Sequence, residues 1–136
     1  AQFEEGRVRK LYHALVAGVL DPPQQDIRAP VDHLPAVSHV RQVSAQPRPP
    51  RCAHLTVAIE TGRTHQIRIH LQSIVHPVLG DRQYFSSRAP EFAEVPRQML
   101  HASDLRFVHP ATGRPVAAAA PLPRDFKDWL RNLRLT

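Results

Sequence analysis

The feature that most limits how this chain can fold is a change of hydrophobic period near its middle. Leu55, Val57 and Ile59 alternate with His54, Thr56 and Ala58, the two-residue repeat of a strand with two distinct faces. Thr61 and Gly62 break that repeat. Beyond Thr64 the apolar spacing lengthens. Ile67, Leu71 and Ile74 stand at i, i+4 and i+7, one face of an amphipathic helix. Pro77 and Gly80 close it. The expected order is strand, tight turn, short helix, turn. It places helix-start residues at the end of a strand, where sheet proteins often build sites.

Residues 60 to 81 also hold the densest polar chemistry of the chain. Arg68 shares a helix edge with Leu71. Its spacing serves two readings equally: a solvated helix-face arginine, or a guanidinium beside the core that needs a carboxylate or phosphate partner, because an unpaired buried charge is costly. His65 and His70 lie about 140° apart on a helix and cannot easily share one ion. His76 falls in the following turn, and the only cysteine, Cys52, on the preceding strand. No metal site is expected from such ligand spacing. Gly62 could let backbone amides approach an anion at the helix start, though a lone glycine says little.

Either side of this centre the patterning is simpler. Lys10 to Val19 reads as a strand apolar on both faces, hence a central one. Ile27 to Val31 suits a short edge strand limited by Pro30, and Ser38 to Ser44 another strand. Gln46 to Arg51 is a stiff, basic, Pro-rich connection, read as a solvated hairpin loop. Arg82 to Pro96 reads as a loop anchored by Tyr84 and Phe85. Leu100 to Val108 and Arg114 to Ala119 form a strand pair across a turn at 109–113. Pro123 then opens a final helix as its first-turn residue. Phe126, Trp129, Leu130 and Leu133 are its apolar stripe, with acids early and arginines late to suit the helix dipole. Residues 1–7 look like a helix end.

Composition narrows the class of partner. The 136 residues suit one domain. No apolar run is long enough to span a bilayer, and none resembles a signal peptide, so no membrane partner is expected. A single cysteine excludes an internal disulfide framework and fits a reducing, cytoplasmic setting. The net charge is +6, and apart from Lys10 and Lys127 every Lys or Arg is arginine. Arginine is the better residue for bidentate phosphate contact and for stacking on bases. The balance favours a polyanion such as nucleic acid. The alternative explanation of the same numbers is coding bias toward Ala, Arg and Pro.

One stretch carries a specific resemblance. Gly62-Arg63-Thr64-His65-Gln66-Ile67-Arg68-Ile69-His70-Leu71, followed by His76-Pro77-Val78-Leu79-Gly80-Asp81-Arg82-Gln83-Tyr84, resembles the signature of the RluA/RsuA-type pseudouridine synthases, which isomerise uridine in RNA. Arg9 to Gly18 is similar to that family's K-x-Y strand. Leu100-His101-Ala102, Leu105-Arg106-Phe107, His109-Pro110 and Ala120 to Pro123 resemble its C-terminal segment. The matches fall in family order and span nearly the whole chain. Val75 departs from the pattern, which usually has glycine before His-Pro.

The larger departure is an absence. The family's nucleophilic aspartate lies in an H-R-L-D-x-x-T-S-G-like motif upstream of the K-x-Y strand, and no aspartate here has such neighbours. The resemblance therefore implies an α+β fold: a mixed, mainly antiparallel sheet with a few short helices, residues 1–136 being the C-terminal part of one catalytic domain with no second domain. By itself that part is expected to show no turnover, and to expose sheet edges.

The resemblance also implies roles. Arg68 would pair with the absent aspartate, and Tyr12 would stack on the base and be a candidate for the carbon 5 proton. Leu100 would make an apolar contact under the base. Lys10, Arg63, Thr64, His65 and Gln66 would shape the pocket and RNA path. No cofactor or metal is implied. The partner would be rRNA or tRNA, and the contrasting reading is an RNA-binding module without catalysis.

Overall fold

The computed structural model describes residues 9–85 and 92–136. The helix end expected over residues 1–7 lies outside these, as does part of the loop expected at 82–96. The elements run β1 (Arg9–Ala17), β2 (Gln24–Ile27), β3 (Ser38–Gln46), β4 (Cys52–Ile59), α1 (Gln66–Ser73), β5 (Leu100–Val108), β6 (Pro115–Ala119) and α2 (Arg124–Asn132). Six strands form one sheet in the order β2-β3-β4-β1-β5-β6, so β1 is central, as its two apolar faces require. Every pairing among these strands is antiparallel, and the parallel component that a mixed sheet would have is not found among the described residues.

Alternation along β1 and β4 sends side chains to two different cores. Ala14, Val16, Leu55 and Val57 meet Ile67 and Leu71 of α1 on one face, with Tyr12 and Leu100 packed at its margin. Leu15 and Cys52 meet Phe126, Leu130 and Leu133 on the other, where α2 lies. Phe126 is fully buried, and Trp129 packs half-buried at the edge. At about 1.5–3 kcal/mol for each large apolar side chain buried, this stripe rather than propensity holds α2 on the sheet.

Several boundaries differ from expectation. Pro123 is the extended N-cap of α2 (φ −60°, ψ 155°) rather than its first-turn residue, and β1 ends at Ala17 rather than Val19. The edge strand is Gln24–Ile27, not Ile27 to Val31. Gln24 pairs with Arg41 and Ile27 with Ser38, so the strand follows directly on Pro23 and ends at Ile27. Val31 makes only an isolated bridge to Leu34. The site helix is also shorter than its apolar stripe: Ile74 is its C-cap rather than its last turn. The Val75 and His76 amides donate to the carbonyls of Gln72 and Leu71. That is the Schellman arrangement, with Val75 at φ +66° in the left-handed position usually held by glycine. Helix α2 ends the same way through Arg134 and Leu135.

Candidate active site

The cleft is built by the strand-to-helix switch seen in the sequence. Thr61 lies two residues beyond β4, and its hydroxyl donates to the Gln66 side-chain oxygen at 2.6 Å. The same oxygen accepts the Arg63 amide at 3.2 Å. Gln66 Nε2 donates to the Val37 carbonyl and to Ser38 Oγ, both at 3.0 Å. A buried amide satisfied this fully fixes the start of α1 against β3, since each lost bond would leave an orphaned polar group. His70, one turn on, is fully buried, with Nδ1 2.8 Å from Ser38 Oγ and Nε2 2.7 Å from the Ala29 carbonyl.

The resulting cleft has a volume of about 320 Å³. Seven of the eight residues singled out from the sequence line it: Lys10, Tyr12, Arg63, His65, Gln66, Arg68 and Leu100. Thr64 does not line it and is exposed at the helix start. Gln66 lines it, but its amide is engaged inward, so what it contributes is the placement of α1. His65 and His70 face different partners. His65 Nδ1 is 3.0 Å from the Tyr84 hydroxyl, whereas His70 bonds into the core. The Arg63 amide at the helix start is engaged by Gln66, and Arg63 Nε donates to the Pro35 carbonyl at 2.7 Å. Ile59, Gly62, Ile67 and Gln98 complete the lining. A wider depression of about 480 Å³ beside Gln25 and Thr56 contains none of these residues.

Arg68 has a partner within the chain. Its Nε donates to Asp81 Oδ2 at 2.7 Å and its Nη2 to Asp81 Oδ1 at 2.9 Å, a bidentate fork. Nη2 also reaches Gln83 Oε1 at 3.4 Å, and the guanidinium carbon lies 4.9 Å from the Tyr84 ring centroid. The side chains are 14% and 1% exposed, so this is a largely desolvated pair. Burial pushes the Asp81 carboxyl up, but hydrogen bonds from Arg68 and from the Tyr84 and Gln83 amides outweigh it and hold the group below the usual range. Asp81 in turn raises Arg68. Burial raises Tyr12, so its phenol is protonated at neutral pH.

Asp81 and Tyr84 stand in the quoted signature, but the sequence assigns Asp81 no role and Tyr84 only that of a loop anchor. A charged residue directly after Val78-Leu79-Gly80 was the available signal. Both apolar residues are fully buried, and the Leu79 amide donates to the Leu15 carbonyl of β1 at 2.8 Å. A Cβ on Gly80 would stand 1.9 Å from the Arg97 carbonyl oxygen, so only glycine lets this segment pass and carry Asp81 under α1.

Comparison with known proteins gives this geometry a lineage. The RNA pseudouridylate synthase family matches residues 1–73. An uncharacterised RNA pseudouridine synthase of Chloroflexus aurantiacus is 39% identical over 98% of this chain and 45% of its own length. The ribosomal large subunit pseudouridine synthase D of Pseudomonas aeruginosa is 39% identical over 98% of this chain and 48% of its own. The chain thus spans about half the length of these relatives. The solved structure of human RNA pseudouridylate synthase domain containing 4 superposes with a TM-score of 0.76 at 21% identity, over 99% of this chain and 66% of that one, and shares the fold. The chain belongs to the RNA pseudouridylate synthase family.

Proposed function

We propose that this chain supplies the uracil-holding side of an RNA pseudouridine synthase site, and that Arg68 orients a catalytic carboxylate contributed by another part of the full-length enzyme. The observation that carries the reading is the convergence of Tyr12, Arg68 and Leu100 on one cleft. In the isomerisation the bond from C1′ of the ribose to N1 breaks and one from C1′ to C5 forms. The C5 proton leaves and N1 gains one. No oxidant or cofactor is required.

An acid at the ribose must be ionised to begin, and a fixed guanidinium favours that form and aims it. Asp81 does not serve in its place. Its carboxylate is 1% exposed and already accepts Arg68 and two backbone amides. Tyr12 offers its ring to the base. Its hydroxyl, protonated at neutral pH, must lose its proton to a neighbour before it accepts one from C5. Leu100 packs beneath. The target nucleotide must leave its stack to enter. Large-subunit rRNA is the substrate that the name of the Pseudomonas relative favours over tRNA.

The test uses full-length enzyme and RNA tritiated at C5 of uridine. Wild type should release tritium from large-subunit rRNA. Arg68→Ala and Tyr12→Phe should nearly abolish release while RNA affinity stays within about three-fold, because neither residue is needed for phosphate contact. Release at the wild-type rate by Arg68→Ala would refute the assignment. RNA binding without release by wild type would point to a binding module.

A further inference from the structure

We infer that Gln98 holds the imide edge of the target uracil, and keeps the same two hydrogen bonds before and after the freed base is turned over. The inference rests on the function proposed above and adds a substrate contact to it.

Three observations carry it. First, Gln98 lines the cleft together with Tyr12, Arg68 and Leu100. Second, its side-chain amide is uncommitted. Of the polar side chains that share the lining, Arg63 is bonded to Pro35, His65 to Tyr84, Gln66 to Val37 and Ser38, and Arg68 to Asp81. Lys10 is engaged as well. The Gln98 amide has no such partner among the described residues, where the bonds at this position go to its backbone carbonyl. The residue is half-buried, so the amide meets the cleft solvent and is not an orphaned core group. Third, the backbone that carries it is fixed. Met99 is fully buried, its amide donates to the Leu79 carbonyl at 2.8 Å, and its carbonyl accepts the Leu15 amide at 3.0 Å. The Gln98 carbonyl accepts the Leu100 amide at 3.0 Å and Arg97 Nη1 at 2.9 Å. Arg97 is itself held by Asp125 through two bonds, at 2.7 and 2.9 Å. An open amide on a fixed backbone suits an edge contact, because little ordering remains to be done on binding.

The chemistry of uracil says which edge. Tyr12 and Leu100 take the faces of the base, which leaves its rim. A primary amide donates and accepts side by side. So does the edge made of C2=O, N3–H and C4=O. The line through N3 and C6 relates N1 to C5 and O2 to O4. The isomerisation exchanges N1 for C5 at C1′, and turning the freed base over about that line performs the exchange. The pattern that meets the amide is then unchanged: N3–H donates to Gln98 Oε1, and O2 or O4 accepts from Nε2. No bond to Gln98 forms or breaks, and no proton passes through it. Cytosine would find two partners on the same amide turned round, so the contact holds the base and does not select it.

The test is a cycle between protein and substrate in full-length enzyme, read as tritium release from C5. Gln98→Leu keeps the length of the side chain and removes both polar groups. We expect kcat/KM to fall about ten-fold or more, with the melting temperature unchanged. Target RNAs carrying 2-thiouridine or 4-thiouridine replace one carbonyl oxygen by sulfur, a weak acceptor. Intrinsic effects of sulfur on the ring act on both enzymes and cancel in the ratio. For at least one of the two RNAs, the slowing caused by sulfur should be three-fold or more larger in wild type than in Gln98→Leu. Gln98→Ala serves the same cycle if the leucine variant does not fold. A ratio under three-fold for both RNAs overturns the contact, even if the variant is slow, because a merely structural role would not couple to one substrate atom. A wild-type rate in Gln98→Leu also overturns it. Either result alongside an inactive Arg68→Ala leaves the functional reading standing, whereas an active Arg68→Ala removes that reading itself.

Discussion

Val75→Gly should stabilise the protein. Val75 closes helix α1 at φ +66° and is 80% exposed. A left-handed conformation costs a residue with a Cβ about 1–2 kcal/mol, and a β-branched residue belongs at the upper end. With one-fifth of the side chain covered, its burial contributes roughly 0.3–0.6 kcal/mol, a fifth of the usual value for valine. Glycine also adds about 0.4–1 kcal/mol of unfolded-state entropy. The strain is the largest of the three, and the net gain is about 0.5–1 kcal/mol by those figures. Near this chain length that is about 2–4 °C in Tm. Urea unfolding followed by circular dichroism would measure it. Val75→Ala is the control, because alanine keeps a Cβ and most of the strain. A neutral or destabilising Val75→Gly would refute the reasoning. An equal gain from Val75→Ala would trace the effect to the exposed apolar surface instead.

Two further outcomes follow from packing and charge. Gly80→Ala should destabilise by more than about 2 kcal/mol, since a clash with backbone adds to strain at φ +80°, and thermal melting would show it. Acid should weaken the fold through His54, which burial and then the neighbouring His13 hold down to about 4. The unfolded residue takes up its proton near pH 6.5, so between these values the unfolded state binds more protons, and stability falls as pH drops. From pH 6.5 to 5 the loss is about 2 kcal/mol, and His54→Gln should flatten it. His39, raised by its bonds to Asp26 and Glu60, has the opposite sign: its contribution is present below pH 6.5 and fades as pH rises through its folded value. Its exposed partners make that the smaller effect.

What could be read in advance was what the chain states locally. β5 spans Leu100 to Val108, the stretch read as a strand, and α2 buries the stripe its spacing marks. The period switch after Ile59 located the cleft. The ends of α1 were not legible, because His65 and Val75 adopt left-handed conformations that neither residue type favours. β2 was misplaced because its pairing with β3 decides its extent. The Thr61–Gln66–Ser38–His70 network and the Asp81 clamp join residues distant in sequence, and only the folded sheet brings them together. The spacing of Arg68 left a solvated and a paired guanidinium equally open, and the fold decides between them by bringing up Asp81.

The central claim is that Arg68 holds a second carboxylate, the catalytic one. A crystal structure of the full-length enzyme measures this directly, as the distance from Arg68 Nη1 to the nearest carboxylate other than Asp81. The account predicts an aspartate oxygen at about 2.7–2.9 Å in the same cleft as Tyr12. An Arg68 held by Asp81 alone, with no other carboxylate within about 6 Å, would contradict it.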